Sequence, residues 1–129
     1  MKRTHKLALA ILAGFTSIVI GVVVIRAQQT ATPPAYVIAE VDVTDPTAFQ
    51  NYSVKVPETL EPFHGHFIVR GGKTQAVEGE APKRMVVIAF PSLEEARGWY
   101  DSPAYRAILP MRTSSAKTRL FIVEGVVPR

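Results

Sequence analysis

The 129-residue chain contains no cysteine, and this absence excludes several kinds of chemistry. Without a thiol there is no disulfide, no thiolate nucleophile, no zinc–sulfur site and no cysteine-held iron–sulfur cluster. Lipid attachment through cysteine is excluded as well. Because a cysteine-free chain is compatible with any redox compartment, the location of the protein must be inferred from another part of the sequence.

Acidic residues are absent from the first 27 positions, which hold four of the 15 basic side chains. The formal net charge of +4 therefore belongs to this segment, and the rest of the chain carries 11 basic and 11 acidic side chains. A surface that binds the phosphates of nucleic acid needs clustered positive charge on the folded domain. Nucleic acid is accordingly not expected as a partner.

The N-terminus has the pattern of an export signal, in which basic residues precede an uncharged apolar run from Leu7 to Ile25. The run exceeds the ~7–15 residues of a signal core and reaches the ~17–25 residues that span a bilayer. We expect residues 1–27 to be a signal peptide cleaved after Ala27 or an uncleaved membrane anchor, followed by a linker at residues 28–35. The folded part is then periplasmic or secreted in a bacterium, and only the N-terminal segment contacts the membrane.

Residues 36–127 predict the element order β-α-β-β-α-β. Alternating apolar residues predict a half-buried strand over Tyr36–Val43, and a nearly continuous apolar run predicts a central strand over Arg84–Phe90. Two further strands are expected in the stretch FHGHFIVRGG and, from Arg119 onward, in RLFIVEGVV.

Three capping residues mark the expected helix starts: Asp45, Ser92 and Ser102. Ser92 opens an S-x-x-E capping box, and prolines directly after the other two suit the first helical turn. The second helix is therefore expected to be split in two. Pro57 is expected to interrupt any continuation of the helix that begins after Asp45, and Pro110 is expected to kink or end the helix in which it lies.

This order predicts an α+β fold of the ferredoxin-like type, a four-stranded antiparallel sheet with both helices on one face. The other face is expected to be partly apolar, with four residues among its members: Ile38, Ile68, Val87 and Leu120. A sheet with two apolar faces needs two cover layers, and the helices supply one. A second copy of the chain is the simplest source of the other, which predicts a homodimer with facing sheets.

Several separated blocks of the sequence resemble the DUF1330 family of uncharacterised proteins: Arg70-Gly71-Gly72, Glu78-Gly79, Phe90-Pro91-Ser92, Trp99-Tyr100 with Ser102-Pro103, and Tyr105. The resemblance implies a dimeric α/β barrel. That barrel class includes small monooxygenases, isomerases and dehydratase-like enzymes, but no reaction is established for the family. Two residues depart from the family pattern. Ala89 replaces a residue that is usually acidic, and His64 interrupts what is usually a Gly-Gly pair.

Six residues are expected to bind a small organic molecule in the barrel cavity: Glu40, Tyr52, His66, Arg70, Trp99 and Tyr105. His66 is the candidate general base, because imidazole titrates near neutral pH. Arg70 is the candidate for stabilising a developing anion. Strand alternation places Arg70 on the face of His66 and Ile68, where it could instead pair with an acidic residue: Glu40, Asp42 or Glu124.

Structural interpretations compete with each of these roles. Trp99 and Tyr105 also fit an ordinary core, and three arginines are expected to form solvated salt bridges: Arg97, Arg106 and Arg112. His64 and His66 lack an evident third ligand, so a metal site is not expected. No cofactor fingerprint is present. The rival to ligand binding is therefore a non-catalytic interaction module held outside the membrane, and whether the protein is an enzyme stays open.

Overall fold

A computed structural model describes residues 30–129, and the segment predicted to be a signal or an anchor lies outside these residues. The elements are β1 (Ala35–Val43), α1 (Pro46–Ser53), α2 (Val56–Leu60), a 3₁₀ turn (Glu61–Phe63), β2 (His66–Arg70), β3 (Arg84–Phe90), α3 (Leu93–Asp101), α4 (Pro103–Ser115) and β4 (Ala116–Glu124). None of the helices in residues 30–129 combines the length and the apolar character needed to cross a membrane.

The four strands form one antiparallel sheet in the order β2-β3-β1-β4, with β1 and β3 in the centre. This arrangement confirms the predicted ferredoxin-like α+β fold. The alternation along β1 fits its central place. Val37, Ala39 and Val41 on one side of the strand are buried, and the residues between them on the other side are half-buried. The helices cover the buried side, and the hydrophobic core lies between the two layers.

The three predicted caps are all present at the helix starts. The side chain of Asp45 accepts a hydrogen bond from the backbone N–H of Ala48 at 3.0 Å, and Ser92 accepts one from Glu95 at 3.1 Å. Ser102 caps α4 by accepting from the backbone N–H of Tyr105 at 3.2 Å. The predicted division of the second helix into α3 and α4 is confirmed.

Three boundaries differ from the sequence prediction. Pro57 lies in the first turn of α2, where its missing N–H breaks no bond, so the chain is helical again at that point. Pro110 lies within α4, which continues to Ser115. β4 begins at Ala116 rather than Arg119, because the chain passes from α4 into the strand without a loop.

A β-bulge in β2 changes the face of the sheet on which the side chains of its last residues lie. Phe67 pairs with Ile88, but Val69 pairs with Val87, so one extra residue stands in β2 between the two pairs. The bulge reverses the alternation, and Arg70 consequently faces the helices. The prediction that Arg70 shares a face with His66 was wrong for this reason.

The face of the sheet away from the helices, called the open face below, is apolar over much of its area. Its apolar members include Ile38, Val69, Val87, Phe121 and Val123, and the last two are each 42% exposed. The predicted member Leu120 lies on the other side, because it pairs with the helix-facing residue Ala39. Ile68 is the extra residue of the bulge and is half exposed.

Candidate functional site

A cavity of about 40 Å³ lies between the helices and the sheet. Apolar strand residues such as Val37, Ala39 and Leu120 line it from the sheet side. On this scale a water molecule needs ~10–15 Å³, so the cavity has room for about three atoms of that size. A chemical group of a small molecule fits this space, whereas a whole metabolite would extend beyond it.

Two tyrosine hydroxyls meet in the cavity wall. Tyr52 of α1 and Tyr105 of α4 are buried, and their oxygens form a hydrogen bond of 3.0 Å. Burial raises the pKa of both hydroxyls, and for Tyr52 the neighbouring Tyr105 raises the pKa further. Both therefore stay protonated at neutral pH. Because the bond between them uses one O–H, the other is available to donate to a ligand.

Arg112 is the most unusual residue of the cavity wall. It is only 7% exposed, its Nε has no hydrogen-bond partner, and no carboxylate within residues 30–129 forms a salt bridge with it. Its charge lowers the pKa of both tyrosines, although burial has the larger and opposite effect. The predicted solvated salt bridge of Arg112 was therefore wrong, and a buried cation faces the cavity without an anionic partner.

A second arginine, Arg84, reaches the cavity from the start of β3. Its guanidinium carbon lies 5.4 Å from the centre of the Phe49 ring, and its buried Nε also lacks a hydrogen-bond partner. The guanidinium packs against Gly71, and a Cβ at that residue would displace this flexible group. Gly71 has a φ of 68°, and this left-handed conformation is what favours glycine beside the arginine.

Arg70 lies at the exposed edge of the cavity. Its Nη2 donates to the backbone carbonyl of Ser53 at 3.0 Å, which links the end of β2 to the end of α1. The guanidinium carbon lies 4.3 Å from the centre of the Phe67 ring. The predicted ion pair with an acidic residue of the sheet was wrong, because the bulge turns Arg70 away from those residues.

Trp99 belongs to the core and to the cavity wall at once. It is 1% exposed, and its indole N–H donates to Thr59 Oγ1 at 2.9 Å. Its ring lies 4.1 Å from that of Tyr105 and 5.6 Å from that of Phe90, measured between centroids. The two interpretations of these aromatics are therefore compatible, since the same rings fill the core and face the cavity.

Glu40 and His66, two of the six predicted ligand-binding residues, lie away from this cavity. Glu40 is on the open face and accepts two hydrogen bonds from Arg119, at 2.8 and 2.9 Å. His66 is exposed and pairs with Ala89 on the same face. The predicted grouping of His66, Glu40 and Arg70 was wrong, because the bulge separates Arg70 from the other two.

Residues 34–126 match the model of the DUF1330 family, a domain of unknown function. The chain belongs to the DUF1330 family. No curated protein matches its sequence.

Solved structures with the same fold extend the comparison. A protein of unknown function from Rhodopseudomonas palustris has 17% identity and a TM-score of 0.61, covering 74% of this chain and 85% of that one. SnoaB, a cofactor-independent oxygenase from Streptomyces nogalater, has 11% identity and a TM-score of 0.53, covering 75% and 97%. A dimeric ferredoxin-like protein of unknown function from Thermobifida fusca has 14% identity and a TM-score of 0.50, covering 72% and 92%. At such identities the likeness establishes the fold.

The two departures from the DUF1330 pattern have clear positions in the structure. His64 has a φ of 55°, the left-handed conformation that glycine adopts most easily, which accounts for a glycine as the family's usual residue. It ends the 3₁₀ turn and lies outside β2, so it does not share a strand with His66. Ala89 faces the open side beside Tyr36, so a carboxylate there would point away from the cavity.

Sequence reasoning missed Arg84 and Arg112, although each carried a usable signal. Arg112 follows Tyr105 by seven residues, a spacing that puts both on one face of a helix. Arg84 alternates with Val86 and Ile88 along a strand, which puts it on their buried side. Their charge favoured a surface position, and that general tendency of arginine proved misleading here. Within residues 30–129, no group of three His, Asp or Glu is placed to hold a metal ion.

Proposed function

We propose that this DUF1330 protein is an exported homodimer that binds a small organic molecule in the cavity between its helices and its sheet. The observation that carries the proposal is the convergence of Arg112 and the Tyr52–Tyr105 pair on a cavity whose walls are mostly apolar. A few converging polar groups within apolar walls are typical of small-molecule sites. Folding alone gives no reason to bury an unpaired guanidinium there, since burial of an unpaired charge is unfavourable.

The residues around the cavity determine which chemistry it supports. They include hydroxyls and guanidinium groups but no His, Asp or Glu. These side chains donate hydrogen bonds, so they can orient a ligand and stabilise negative charge that develops on it. Because none of them accepts a proton readily at neutral pH, we propose binding and electrostatic stabilisation as the roles of this site. His66 and its imidazole lie on the open face instead.

Two separate observations support the dimer and the export that this proposal includes. Apolar residues on the open face favour a second cover layer, and the related Thermobifida fusca protein is described as dimeric. The basic and apolar order of the first 27 residues supports export. The rival function, a non-catalytic interaction module outside the membrane, uses the same exported dimer and leaves the cavity without a ligand.

The fluorescence of Trp99 can test this proposal, because Trp99 is the chain's single tryptophan and lines the cavity. The full-length protein is titrated with a panel of small carboxylic acids, amides and alcohols while the tryptophan emission is recorded. At least one compound should change the emission saturably. Ala39→Val adds two methyl groups at the cavity floor and should abolish that response.

The matched control is Ala107→Val, the same substitution at an exposed position of α4. This variant should bind as the wild type does. If no compound of the panel changes the emission of the wild-type protein, the interaction-module interpretation replaces ligand binding. An equal response of all three proteins would place the binding outside the cavity.

A further inference from the structure

The polar lining of the cavity carries charge of one sign. Arg70, Arg84 and Arg112 contribute guanidinium groups, while no carboxylate lines the cavity. The three groups differ in depth, since Arg70 is exposed, Arg84 is half-buried and Arg112 is buried. Positive charge is therefore present from the edge of the cavity to its interior.

The burial of Arg112 without an anion beside it lowers the stability of the folded protein. A buried ion whose charge is not compensated by an opposite charge loses its hydration, and for Arg112 the neighbouring hydroxyl of Tyr105 offsets only part of that loss. Its Nε is unpaired, and so is the Nε of Arg84. An anion in the cavity would satisfy these donors, and hydrogen bonds between ions are stronger than those between neutral groups.

The size of the cavity limits the kind of anion. It holds about three atoms of water size, which suits the carbon and two oxygens of a carboxylate. A phosphate or sulfate has five heavy atoms in a tetrahedral arrangement and would exceed this space. The fork of a guanidinium matches two oxygens of a carboxylate or of a phosphate, so the size of the cavity is what favours the carboxylate.

We propose that the cavity takes an organic monocarboxylate, whose charged group binds Arg112 and the free hydroxyl of the Tyr52–Tyr105 pair. The inference rests on the proposed function and specifies its ligand. The apolar part of the molecule extends along the rings of Phe49 and Phe67 towards Arg70. Arg70 donates to the backbone carbonyl of Ser53 and can exchange this partner for the ligand, because its side chain is exposed.

Benzoate and benzamide test the charge preference, because they have nearly the same size and shape. Titration of the full-length protein, followed by Trp99 emission, should show benzoate binding about 10-fold or more tightly than benzamide. Arg112→Met should remove this preference, and Arg112→Lys should weaken it while keeping its direction. Arg106→Met removes one positive charge from the exposed side of the same helix and should leave the preference unchanged.

Thermal melting separates a ligand-binding role of Arg112 from a structural one. Replacing an unpaired buried charge by an apolar side chain of similar length should raise the Tm of the ligand-free protein, by about 4 °C or more. A saturating concentration of benzoate should raise the Tm of the wild type and leave that of Arg112→Met unchanged.

Each of the remaining outcomes has a distinct meaning. Equal binding of benzoate and benzamide would overturn the carboxylate inference and leave the cavity as a neutral small-molecule site. A lower Tm of Arg112→Met together with an unchanged benzoate preference would make Arg112 a structural residue and overturn the inference. Inorganic phosphate that displaces benzoate at equal concentration would overturn the preference for an organic carboxylate and show a general anion site. No response to benzoate, when a neutral compound of the wider panel does change the emission, would overturn the carboxylate inference and leave the proposed function intact. No response to any compound of the panel would overturn the proposed function itself.

Discussion

Two arginines of α4 show how far the surroundings of a residue decide its role. Arg106 is exposed, bonds to Asp101 at 2.7 Å and lies over the ring of Tyr100 at 4.6 Å. That hydrogen bond is the main reason why the pKa of Asp101 is lowered. Arg112, six residues later, has the same chemistry but no acidic partner in residues 30–129 and almost no contact with solvent. Arg106 stabilises the surface in the ordinary way, whereas Arg112 is a buried cation whose Nε has no hydrogen-bond partner among residues 30–129.

The buried tyrosine pair predicts how stability depends on pH. In the unfolded chain a tyrosine ionises near pH 10, whereas the raised pKa values keep Tyr52 and Tyr105 protonated in the folded state above that pH. Their contribution to the free energy of unfolding is therefore complete below pH 10 and is lost as the pH rises above that value. Well above pH 10, where the unfolded tyrosine is ionised and the folded one is still protonated, each tyrosine should lower the free energy of unfolding by at most about 1.4 kcal/mol per pH unit.

Urea unfolding between pH 8 and pH 11 measures this decline. The double variant Tyr52→Phe with Tyr105→Phe should show a shallower decline above pH 10. Tyr36→Phe, whose ring lies on the open face, serves as the control and should keep the steep decline because the buried pair is intact. Equal slopes for all three proteins would contradict the assignment.

At the scale of whole elements, one serine sets the geometry of the cavity wall. The N–H and the hydroxyl of Ser102 both donate to the carbonyl of Trp99, at 3.1 and 2.7 Å, and the hydroxyl oxygen accepts from Tyr105. Ser102 thus ends α3 and begins α4. Trp99 and Tyr105, three residues to either side, are brought into ring contact by this junction. The bulge of β2 has a comparable effect, since it decides which face receives Arg70.

Ser102→Ala should accordingly lower the free energy of unfolding by more than the loss of an ordinary helix cap does. We expect a loss of about 2 kcal/mol in the free energy of unfolding, compared with about 1 kcal/mol for Ser92→Ala, which removes a single partly buried capping bond. The emission spectrum of Trp99 should also change in Ser102→Ala and stay constant in Ser92→Ala. Chemical denaturation and fluorescence check both points. Equal costs with an unchanged spectrum would mean that the junction does not control the aromatic contact.

At the scale of the whole molecule, residues 30–129 form two layers, and none of these residues covers the open face of the sheet. Phe121 and Val123 expose large apolar area on β4, and the ion pair of Glu40 with Arg119 lies beside them on the same face. A sheet with two apolar faces is normally covered by another layer on each of them. The second copy of the chain that we propose here would supply the missing layer and bury these residues.

A charge placed on the open face tests the dimer. Phe121→Lys should convert the protein to a monomer, because the lysine would be buried without a partner in the interface. Val77→Lys places the same charge in the β2–β3 connection, at a position 90% exposed, and should stay dimeric. Size-exclusion chromatography with light scattering gives the mass of each. A dimeric Phe121→Lys protein would show that the interface lies elsewhere, and a monomeric wild type would remove the dimer from the proposal.

The sequence by itself determined the parts of this protein that depend on short-range interactions. The caps at Asp45, Ser92 and Ser102 act within three residues, so their patterns could be read directly. The alternation of β1 likewise identifies its buried side, and the order of the elements leaves few arrangements of the sheet. Tyr52 and Trp99 were predicted for the site because aromatic residues with a polar atom suit such walls, and both line the cavity.

Only the tertiary structure decided where the remaining site residues lie. The bulge that turns Arg70 towards the helices arises from its pairing with β3, which is distant in sequence, and the same pairing leaves His66 on the open face. Arg112 is buried in the cavity wall beside residues of α1 and the sheet, and its spacing from Tyr105 indicates a shared helix face but not that this face is buried. Burial and strand register depend on contacts between distant segments, and these contacts exist only once the chain has folded.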